Sequence, residues 1–258
     1  MTLELKEKLC ALAEKYEKAS FRNADPSQFM EWYSERRDVE VCLFITAMLS
    51  FGSRSQFIPK IKSIMQMADG HGGICRWLEN GDFESEFAPA EGSCESVKFY
   101  RFYSYKDMKV LFRTLARILK SGVLFGDFLK GEFESERQGV SAAERICSVF
   151  ARVFAECKIV PKGKASANKR VHMYLRWMVR RGSPVDLGLW EWYLPADLII
   201  PLDTHVMQEA KKFVMLKEGC SAGFKTALAL TEELKQIWPD DPCKGDFALF
   251  GLGVAENG

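Results

Sequence analysis

The chain has 258 residues, of which 47% are hydrophobic, enough to fill the core of one large domain or of two closely packed ones. Lys and Arg number 36 against 35 Asp and Glu, so the formal net charge of +1 excludes a strongly basic or acidic chain, and only local charge bears on a polyanionic partner. No apolar run approaches the roughly 20 residues of a membrane helix, and the charged start lacks the apolar segment of a signal peptide. We therefore expect a cytoplasmic protein without a membrane partner.

Helical periodicity dominates the first part of the chain. Apolar residues at helical spacing predict an amphipathic helix over residues 3 to 19, and a short second helix follows the break at residues 23 to 26. Residues 38 to 51 are nearly all apolar, which predicts a buried central helix. Another amphipathic helix is expected to end at Gly70.

Two neighbouring stretches differ sharply in charge. Residues 77 to 97 contain six acids and no base, together with Gly and Pro, and we expect them to form an exposed loop or insertion. Residues 98 to 120 interleave aromatic with basic residues. That mixture suits either a strand of nucleic acid, through stacking and phosphate pairing, or a core helix with a solvated basic face.

The remaining periodicity is also helical. It predicts helices over residues 107 to 120, 123 to 130, 141 to 157 and 227 to 238, and the apolar, Gly-spaced residues 247 to 254 are expected to pack closely against a neighbour. Strand-like alternation is scarce, so the predicted fold class is all-α. The eight cysteines form no CxxC pair and resemble reduced, buried thiols, and with only three scattered histidines the sequence predicts no metal and no cofactor.

A concentrated basic stretch runs from Lys158 to Gly182 without one acid. Such a field of positive charge is typical of a site for a polyanion. Its cations are Lys158, Lys162, Lys164, Lys169, Arg170, Arg176, Arg180 and Arg181.

Within this stretch the spacing predicts one helix, from about residue 168 to 181. Its apolar face consists of Val171, Tyr174, Leu175, Met178 and Val179. On a different face, Lys169, His172, Arg176 and Arg180 are expected to project together over roughly 16 Å. We call these four residues the basic ridge, which either binds an anion or is a solvated basic face.

Turn and cap residues frame this helix. The polar link from Pro161 to Ala167, with Lys162, Gly163 and Lys164, is expected to join two helices as a hairpin whose backbone N–H groups could seat a phosphate. Further on, Asp203 occupies the N-cap position of a later helix, a role that stabilises by about 1 kcal/mol whatever else the residue does.

These features resemble the helix-hairpin-helix (HhH-GPD) DNA glycosylase superfamily, which includes endonuclease III-like base-excision enzymes. The resemblance lies in VEVCLFITAMLSFGSRSQFIPKIKSIMQ, in the polar hairpin with Lys169 and in PLDTHV. The phrases NKRVHMYLRWMVRRGSPVDLGLW, IIPLDTHV and DPCKGDFALFGLGV are more similar still to an uncharacterised bacterial branch of that superfamily, over most of residues 20 to 254.

The resemblance implies a two-lobed helical fold that binds damaged duplex DNA and flips a nucleotide into a cleft. It implies Lys169 as the nucleophile that attacks C1′ and Asp203 as the carboxylate that assists base departure. Lys164 remains a second candidate nucleophile and Asp186 a rival carboxylate.

The expected organisation is a set of N-terminal helices over residues 1 to 40 that pack with the C-terminal lobe, a helical domain over residues 41 to 182, and a C-terminal lobe over residues 183 to 258. Besides Lys162, Gly163, Lys164, Arg170 and the ridge residues, Arg54 is a candidate nucleic-acid contact. The candidate pocket residues are Trp190, Trp192 and His205.

Three functions compete at this point. The first is a DNA glycosylase, with AP-lyase activity through Lys169 and Asp203, acting on an unidentified base. The second is a noncatalytic nucleic-acid-binding protein that keeps the fold, with RNA as an alternative to DNA. The third is a helical protein-interaction scaffold in which the basic ridge meets an acidic partner or the acidic residues 77 to 97.

Overall fold

The computed structural model describes residues 1–163, 166–217 and 219–257, with side chains to residue 253. The fold is all-α, as the sequence predicts, and among the described residues the regular strands are a short hairpin of β1 (Lys98–Tyr100) and β2 (Tyr103–Ser104). The helices are α1 (Leu3–Tyr16), α2 (Arg36–Leu49), α3 (Arg54–Asp69), α4 (Ile74–Asn80), α5 (Phe83–Glu86), α6 (Tyr105–Leu119), α7 (Phe125–Glu134), α8 (Ala142–Val153), α9 (Lys169–Val179), α10 (Thr204–Lys212), α11 (Phe224–Lys235) and α12 (Lys244–Asn257).

The chain folds into two compact units, each built from separate stretches of sequence. The first unit contains residues 1–27, 141–147 and 162–258, and the second contains residues 28–140 and 148–161. The sequence predicted boundaries near residues 40 and 182. In the structure the basic helix α9 belongs to the same unit as the residues that follow it.

The second unit is built around α2. Every residue from Val39 to Leu49 is buried, which confirms the predicted central helix. The ring of Phe44 packs against those of Phe125 and Phe154, with centroids 5.1 and 4.9 Å away. Glu40 is buried in this apolar setting, where its carboxylate accepts hydrogen bonds from the backbone N–H of Gly126 and from Arg36, both at 2.8 Å.

The first half of the acidic stretch, residues 77–87, is not the exposed loop that its charge predicted, whereas residues 88–97 contain no helix or strand and are mostly exposed, as predicted. Residues 74–86 form α4 and α5, and Trp77, Phe83 and Phe87 are buried. The acids between these rings point outward, where Glu84 receives two hydrogen bonds from Arg113, at 2.5 and 2.7 Å. The prediction was wrong for residues 77–87 because it was based on their acids and did not take account of the helical spacing of their buried aromatic residues.

The aromatic and basic stretch forms the β-hairpin and α6. Phe99, Tyr100 and Tyr103 are buried, whereas Phe102 at the tip of the hairpin is 60% exposed. Most of these rings therefore belong to the core, and a hairpin rather than a helix carries them.

The core of the first unit lies between its terminal helices. Residues Leu9 and Ala13 of α1 and residues Ala248 and Leu249 of α12 are buried in one cluster with α10 and α11. The predicted close packing of the C-terminal segment is confirmed at Gly251, where an added Cβ would overlap the Cβ and Cγ atoms of Tyr16.

Two glycine-to-alanine variants test this packing. Gly251→Ala is expected to destabilise the fold by about 1–3 kcal/mol, because the added methyl has no room between α12 and α1. Gly131→Ala in α7 is the matched control, since nothing lies within 4 Å of the position that its methyl would take, and it should stabilise by about 0.5–1 kcal/mol through helix propensity. Urea denaturation followed by circular dichroism measures both, and equal effects would contradict the close approach.

Candidate functional site

The structure brings Lys169 and Asp203 together within the first unit. Lys169 is the first residue of α9 and Asp203 is the N-cap of α10. The Lys169 Nζ lies 4.0 Å from Oδ2 of Asp203, and the two side chains are 28% and 21% exposed. An amine and a carboxylate therefore form an ion pair that solvent can reach.

The backbone around each residue fixes this geometry. Asp203 uses its other oxygen, Oδ1, to accept a hydrogen bond of 3.0 Å from the backbone N–H of Val206, as an N-cap does. The predicted cap is thus confirmed, and it leaves Oδ2 directed at the amine. On the other side, Nζ of Lys169 lies 3.4 Å from Sδ of Met173, one turn further along α9.

Asn168 sets the start of α9 and so the position of Lys169. It is buried and has a left-handed backbone, with φ of 48°, which Asn tolerates better than most residues. Its side-chain amide donates to the backbone oxygen of Gly163 at 3.3 Å and lies 3.6 Å from Sγ of Cys147. The hairpin link is thereby tied to the first residue of the helix.

Two substitutions separate the capping role of Asp203 from any chemical role. Asp203→Ala removes the cap and should lower the free energy of unfolding by about 1 kcal/mol, whereas Asp203→Asn retains a capping oxygen and should change it by only a few tenths. Chemical denaturation checks both variants. If the two variants lost the same stability, the cap would not be what Asp203 contributes to the fold.

The basic ridge is not exposed as the sequence predicted. His172, Arg176 and Arg180 are buried, with exposures of 1%, 4% and 2%, and every residue from Val171 to Val179 is buried. Because α9 is covered on all sides over these residues, the three side chains do not form a surface for nucleic acid. Among the ridge residues, Lys169 alone keeps substantial exposure.

Acids from distant parts of the chain neutralise the two arginines. Arg176 donates to Asp186 at 3.3 Å and pairs with Asp246. Arg180 pairs with the second oxygen of Asp186 at 2.5 Å and with Asp241 and Glu17, each at 2.8 Å. The absence of acids within the basic stretch was therefore misleading, since the partners lie elsewhere in the sequence. We call these six residues the buried ion network.

The buried ion network also shows which of the two candidate carboxylates, Asp186 or Asp203, is available to act with Lys169. The side chain of Asp186 has no exposure, and each of its oxygens is paired with an arginine. Burial raises the pKa of Asp186, against the opposing effect of Arg176 and Arg180. Asp203, not Asp186, is the carboxylate that is paired with Lys169 and open to solvent.

The buried His172 and the partly buried Cys147 form a neutral pair. The His172 Nε2 lies 3.7 Å from Sγ of Cys147. Burial lowers the pKa of His172 to about 4, and burial raises the pKa of Cys147 to about 12 although its contact with Asn168 acts in the opposite direction. Near neutral pH the imidazole is therefore not a cation for phosphate, and the thiol is not a reactive thiolate.

The other predicted contact residues are scattered. Lys162 and Arg170 are partly exposed, Gly163 is exposed with φ of 94°, and Lys164 lies outside the described residues. Arg54 belongs to the second unit, where it begins α3.

Of the pocket candidates, Trp190 belongs to the core. It is fully buried, with its ring edge-to-face against Tyr174 at 5.3 Å and stacked on the partly buried Trp192 at 5.3 Å. His205 is partly buried, and its ring lies 6.3 Å from that of Phe250. Among the described residues, no group of three or more His, Cys, Asp or Glu side chains is arranged to hold a metal ion.

A family model described as "Protein of unknown function (DUF2400)" matches residues 25–255. The chain belongs to this family. The match includes Lys169, Asp203 and the network residues other than Glu17, so the candidate site lies within the region that defines the DUF2400 family. No curated protein and no solved structure matches the chain. Within the described part of this DUF2400 chain, none of the helices is both long enough and apolar enough to cross a membrane.

Asp246 is the site residue that the sequence-based reasoning missed. It lies in the first turn of α12 and is 4% exposed. Burial raises its pKa to about 6, Arg176 acts in the opposite direction, Asp203 raises it further and Lys169 lowers it. In this member of the DUF2400 family Asp246 is a buried carboxyl group that pairs with Arg176, two turns along α9 from Lys169. The available signal was one Asp directly ahead of the apolar residues 247 to 254.

Proposed function

We propose that this protein is a DNA glycosylase with AP-lyase activity, in which Lys169 is the nucleophile and Asp203 the assisting carboxylate. The observation that carries the proposal is the 4.0 Å approach of Nζ to Oδ2 in a solvent-reachable position. The two residues are 34 positions apart in the sequence, and both were singled out by their resemblance to the glycosylase motif.

The chemistry follows from the orientation of the pair. A neutral amine is the nucleophilic form of lysine, and Oδ2 of Asp203 is placed to accept the proton that the amine gives up. The amine attacks C1′ of the target nucleotide, and the bond between C1′ and the base nitrogen breaks. The base leaves with that electron pair and takes up a proton.

The same covalent intermediate accounts for lyase activity. When the bond between C1′ and O4′ breaks, O4′ leaves with the electron pair and takes up a proton, and the nitrogen of Lys169 is joined to C1′ as a protonated Schiff base. Transfer of a proton from C2′ to a base then forms a C2′–C3′ double bond and breaks the bond between C3′ and the 3′ phosphate oxygen, which cleaves the strand. A carboxylate beside the amine stabilises positive charge at the sugar and at the Schiff base.

The charges of the site favour a catalytic role for Lys169 over the binding of a polyanion by the basic ridge. The arginines that were expected to hold nucleic acid are buried and paired, and the same burial removes the ridge on which the protein-interaction hypothesis relied. What remains reachable of the basic ridge is a single amine with its carboxylate. The substrate, duplex DNA with a damaged base, remains part of the proposal.

Borohydride trapping tests the proposal directly. The protein is incubated with duplex oligonucleotides that carry an abasic site or one of a broad set of damaged bases, and with RNA counterparts, in the presence of sodium borohydride. We expect a covalent adduct on DNA whose tryptic peptide maps to Lys169. No adduct and no base release across the set, or an adduct on another lysine, would overturn the assignment.

A further inference from the structure

We propose that the tip of the β1–β2 hairpin binds an unpaired base of a nucleic-acid strand, with the ring of Phe102 stacked on the base and Arg101 on a neighbouring phosphate. The tip belongs to the second unit, whereas Lys169 and Asp203 belong to the first. The proposed binding needs neither of those two residues, so it can be tested apart from the proposed function.

Phe102 is held by other rings and yet exposed. Among the described residues it is the one aromatic side chain with more than half of its surface in water, at 60%, although Tyr100 and Tyr103 beside it are buried. Its ring lies edge-to-face against that of Tyr103, with centroids 4.6 Å apart, and 5.4 Å from that of Phe51. A fixed ring with an open surface is what stacking on a base requires.

Arg101 occupies a position of the hairpin that favours glycine. Tyr100 pairs with Tyr103, so the turn consists of Arg101 and Phe102 alone, and Arg101 has φ of 51°. Two-residue hairpin turns place Gly, Asn or Asp where φ is positive, because most side chains are strained there. The arginine is therefore present at a cost to stability, and such local strain is typical of binding sites.

The loop between α2 and α3 supports the tip. The Tyr100 hydroxyl donates a hydrogen bond to the backbone oxygen of Phe51, and the guanidinium of Arg101 lies 5.9 Å from the centre of the Phe51 ring. Gly52 leaves room for these groups, since a Cβ added there would lie 2.5 Å from Nη1 of Arg101 and 2.8 Å from the Tyr100 hydroxyl. The tip and this loop therefore form one continuous surface.

The chain segments that form this surface carry positive charge only. Residues 51–62 and 96–106 contain no Asp or Glu. Lys98 is exposed in β1, and the amine of Lys60 in α3 lies 5.0 Å from the centre of the Phe99 ring. The cations of the two segments are Arg54, Lys60, Lys62, Lys98, Arg101 and Lys106. Cations around an exposed ring complement a strand that presents a base together with its phosphates.

The acids that flank the hairpin in the sequence are paired with other residues. Glu95 lies 3.5 Å from Lys106, and Asp107 lies 3.6 Å from Lys158 while it accepts from the backbone N–H of Ser104. Among the described residues, none of the acids forms an ion pair with Arg101. Its exposed guanidinium is therefore available to a phosphate, which it can bind with two parallel hydrogen bonds.

Binding to oligonucleotides with and without an unpaired base tests the inference. The protein is titrated into fluorescein-labelled duplexes, one fully paired and one with a single bulged nucleotide, as DNA and as RNA, and anisotropy gives the dissociation constants. We expect the bulged form to bind more tightly, and Phe102→Ala to weaken its binding by about 5- to 100-fold, the loss of one stacked base. The strand that binds more tightly, DNA or RNA, identifies the ligand.

Val123→Ala is the matched control for lost apolar surface. Val123 is 42% exposed and lies in the same unit, beyond the far end of α6, about 20 Å from the hairpin. This variant should bind the bulged form as the wild type does, and Phe102→Trp, which retains a ring, should do so within about twofold. Equal losses in Phe102→Ala and Val123→Ala, or equal affinity of the wild type for paired and bulged forms, would overturn the proposal.

Arg101→Gly tests the strained arginine. It removes one cation and places at positive φ a residue that adopts this conformation freely, so the urea midpoint of unfolding should rise while binding weakens. The slope of log affinity against log salt should become shallower by about 0.7–0.9, the contribution of one phosphate contact. An unchanged slope would contradict the contact with phosphate.

Competition separates a nucleic-acid site from a general site for acidic chains. Unlabelled bulged oligonucleotide should displace the probe, whereas polyglutamate of equal charge should displace it poorly because it has no base to stack. Equal displacement by both would overturn the proposal. If Phe102-dependent binding is present but borohydride trapping yields no adduct, the proposed function fails and the stacking site stands. If an adduct forms on Lys169 while Phe102→Ala binds as the wild type does, the stacking site fails and the proposed function stands.

Discussion

Replacing Arg180 with Met is expected to lower the free energy of unfolding by about 3–5 kcal/mol near pH 7. The reason is what the substitution leaves behind, because Asp186 and Glu17 lose a partner inside the fold, where an uncompensated charge is costly. Met has a similar length and would fill the space beside Phe247, over whose ring the guanidinium of Arg180 now lies at 5.1 Å. The loss should therefore come from charge rather than from a cavity.

The neighbouring Arg181 provides the control. It is exposed, so Arg181→Met removes the same charge from the same stretch and should change stability by no more than about 0.5 kcal/mol. Urea denaturation of both variants under the same buffer conditions makes the comparison. A loss in Arg180→Met no larger than in Arg181→Met would mean that the network contributes little to the fold.

The pH dependence of this loss gives a sharper test. Burial already raises the pKa of Asp186 in the folded protein, and removal of Arg180 should raise it further, while in the unfolded chain an Asp ionises near pH 4. Above about pH 4 the unfolded chain therefore gives up a proton that the folded variant retains until the pH passes the raised pKa of Asp186. The stability deficit of Arg180→Met relative to wild type should widen as pH rises above about 4 and shrink as pH falls.

The sequence predicted much of the fold because its helices carry local signals. The apolar stretch that became α2 and the Asp203 cap of α10 depend on spacing and on one side chain, and both were found. The prediction that the basic ridge is exposed was wrong because it depends on residues that are distant in the sequence. Whether Arg176 projects into water or into a network depends on Asp186 and Asp246, 10 and 70 residues away, and no local pattern reports such partners.

In the candidate site, too, some features could be predicted from the sequence and others depend on how the helices pack. Lys169 and Asp203 were found through a motif resemblance, and their proximity depends on how α9 and α10 pack rather than on anything in the sequence between them. Asp246 was missed because an acid directly ahead of an apolar segment is equally consistent with an exposed residue in the first turn of a helix. Its significance comes from burial beside Arg176, which is a property of the packed helices.

Asp203→Asn is expected to lower the rate of base release by about 10²- to 10³-fold on any substrate that yields a borohydride adduct. The substitution preserves shape and the oxygen that accepts from the Val206 N–H, so the start of α10 should be unchanged. What is lost is the negative charge 4.0 Å from Nζ, and with it an acceptor for the amine proton and a stabiliser of positive charge at the sugar.

Single-turnover kinetics of base release measure this effect, with Asp240→Asn as a control that removes an exposed carboxylate from the same unit. Lys169→Gln should abolish the adduct altogether, whereas Lys225→Gln, at an exposed position of α11, should not. If Asp203→Asn released base at the wild-type rate while Lys169→Gln lost the adduct, the carboxylate would be a helix cap and nothing more. The proton acceptor of the reaction would then have to be sought in solvent or in the substrate.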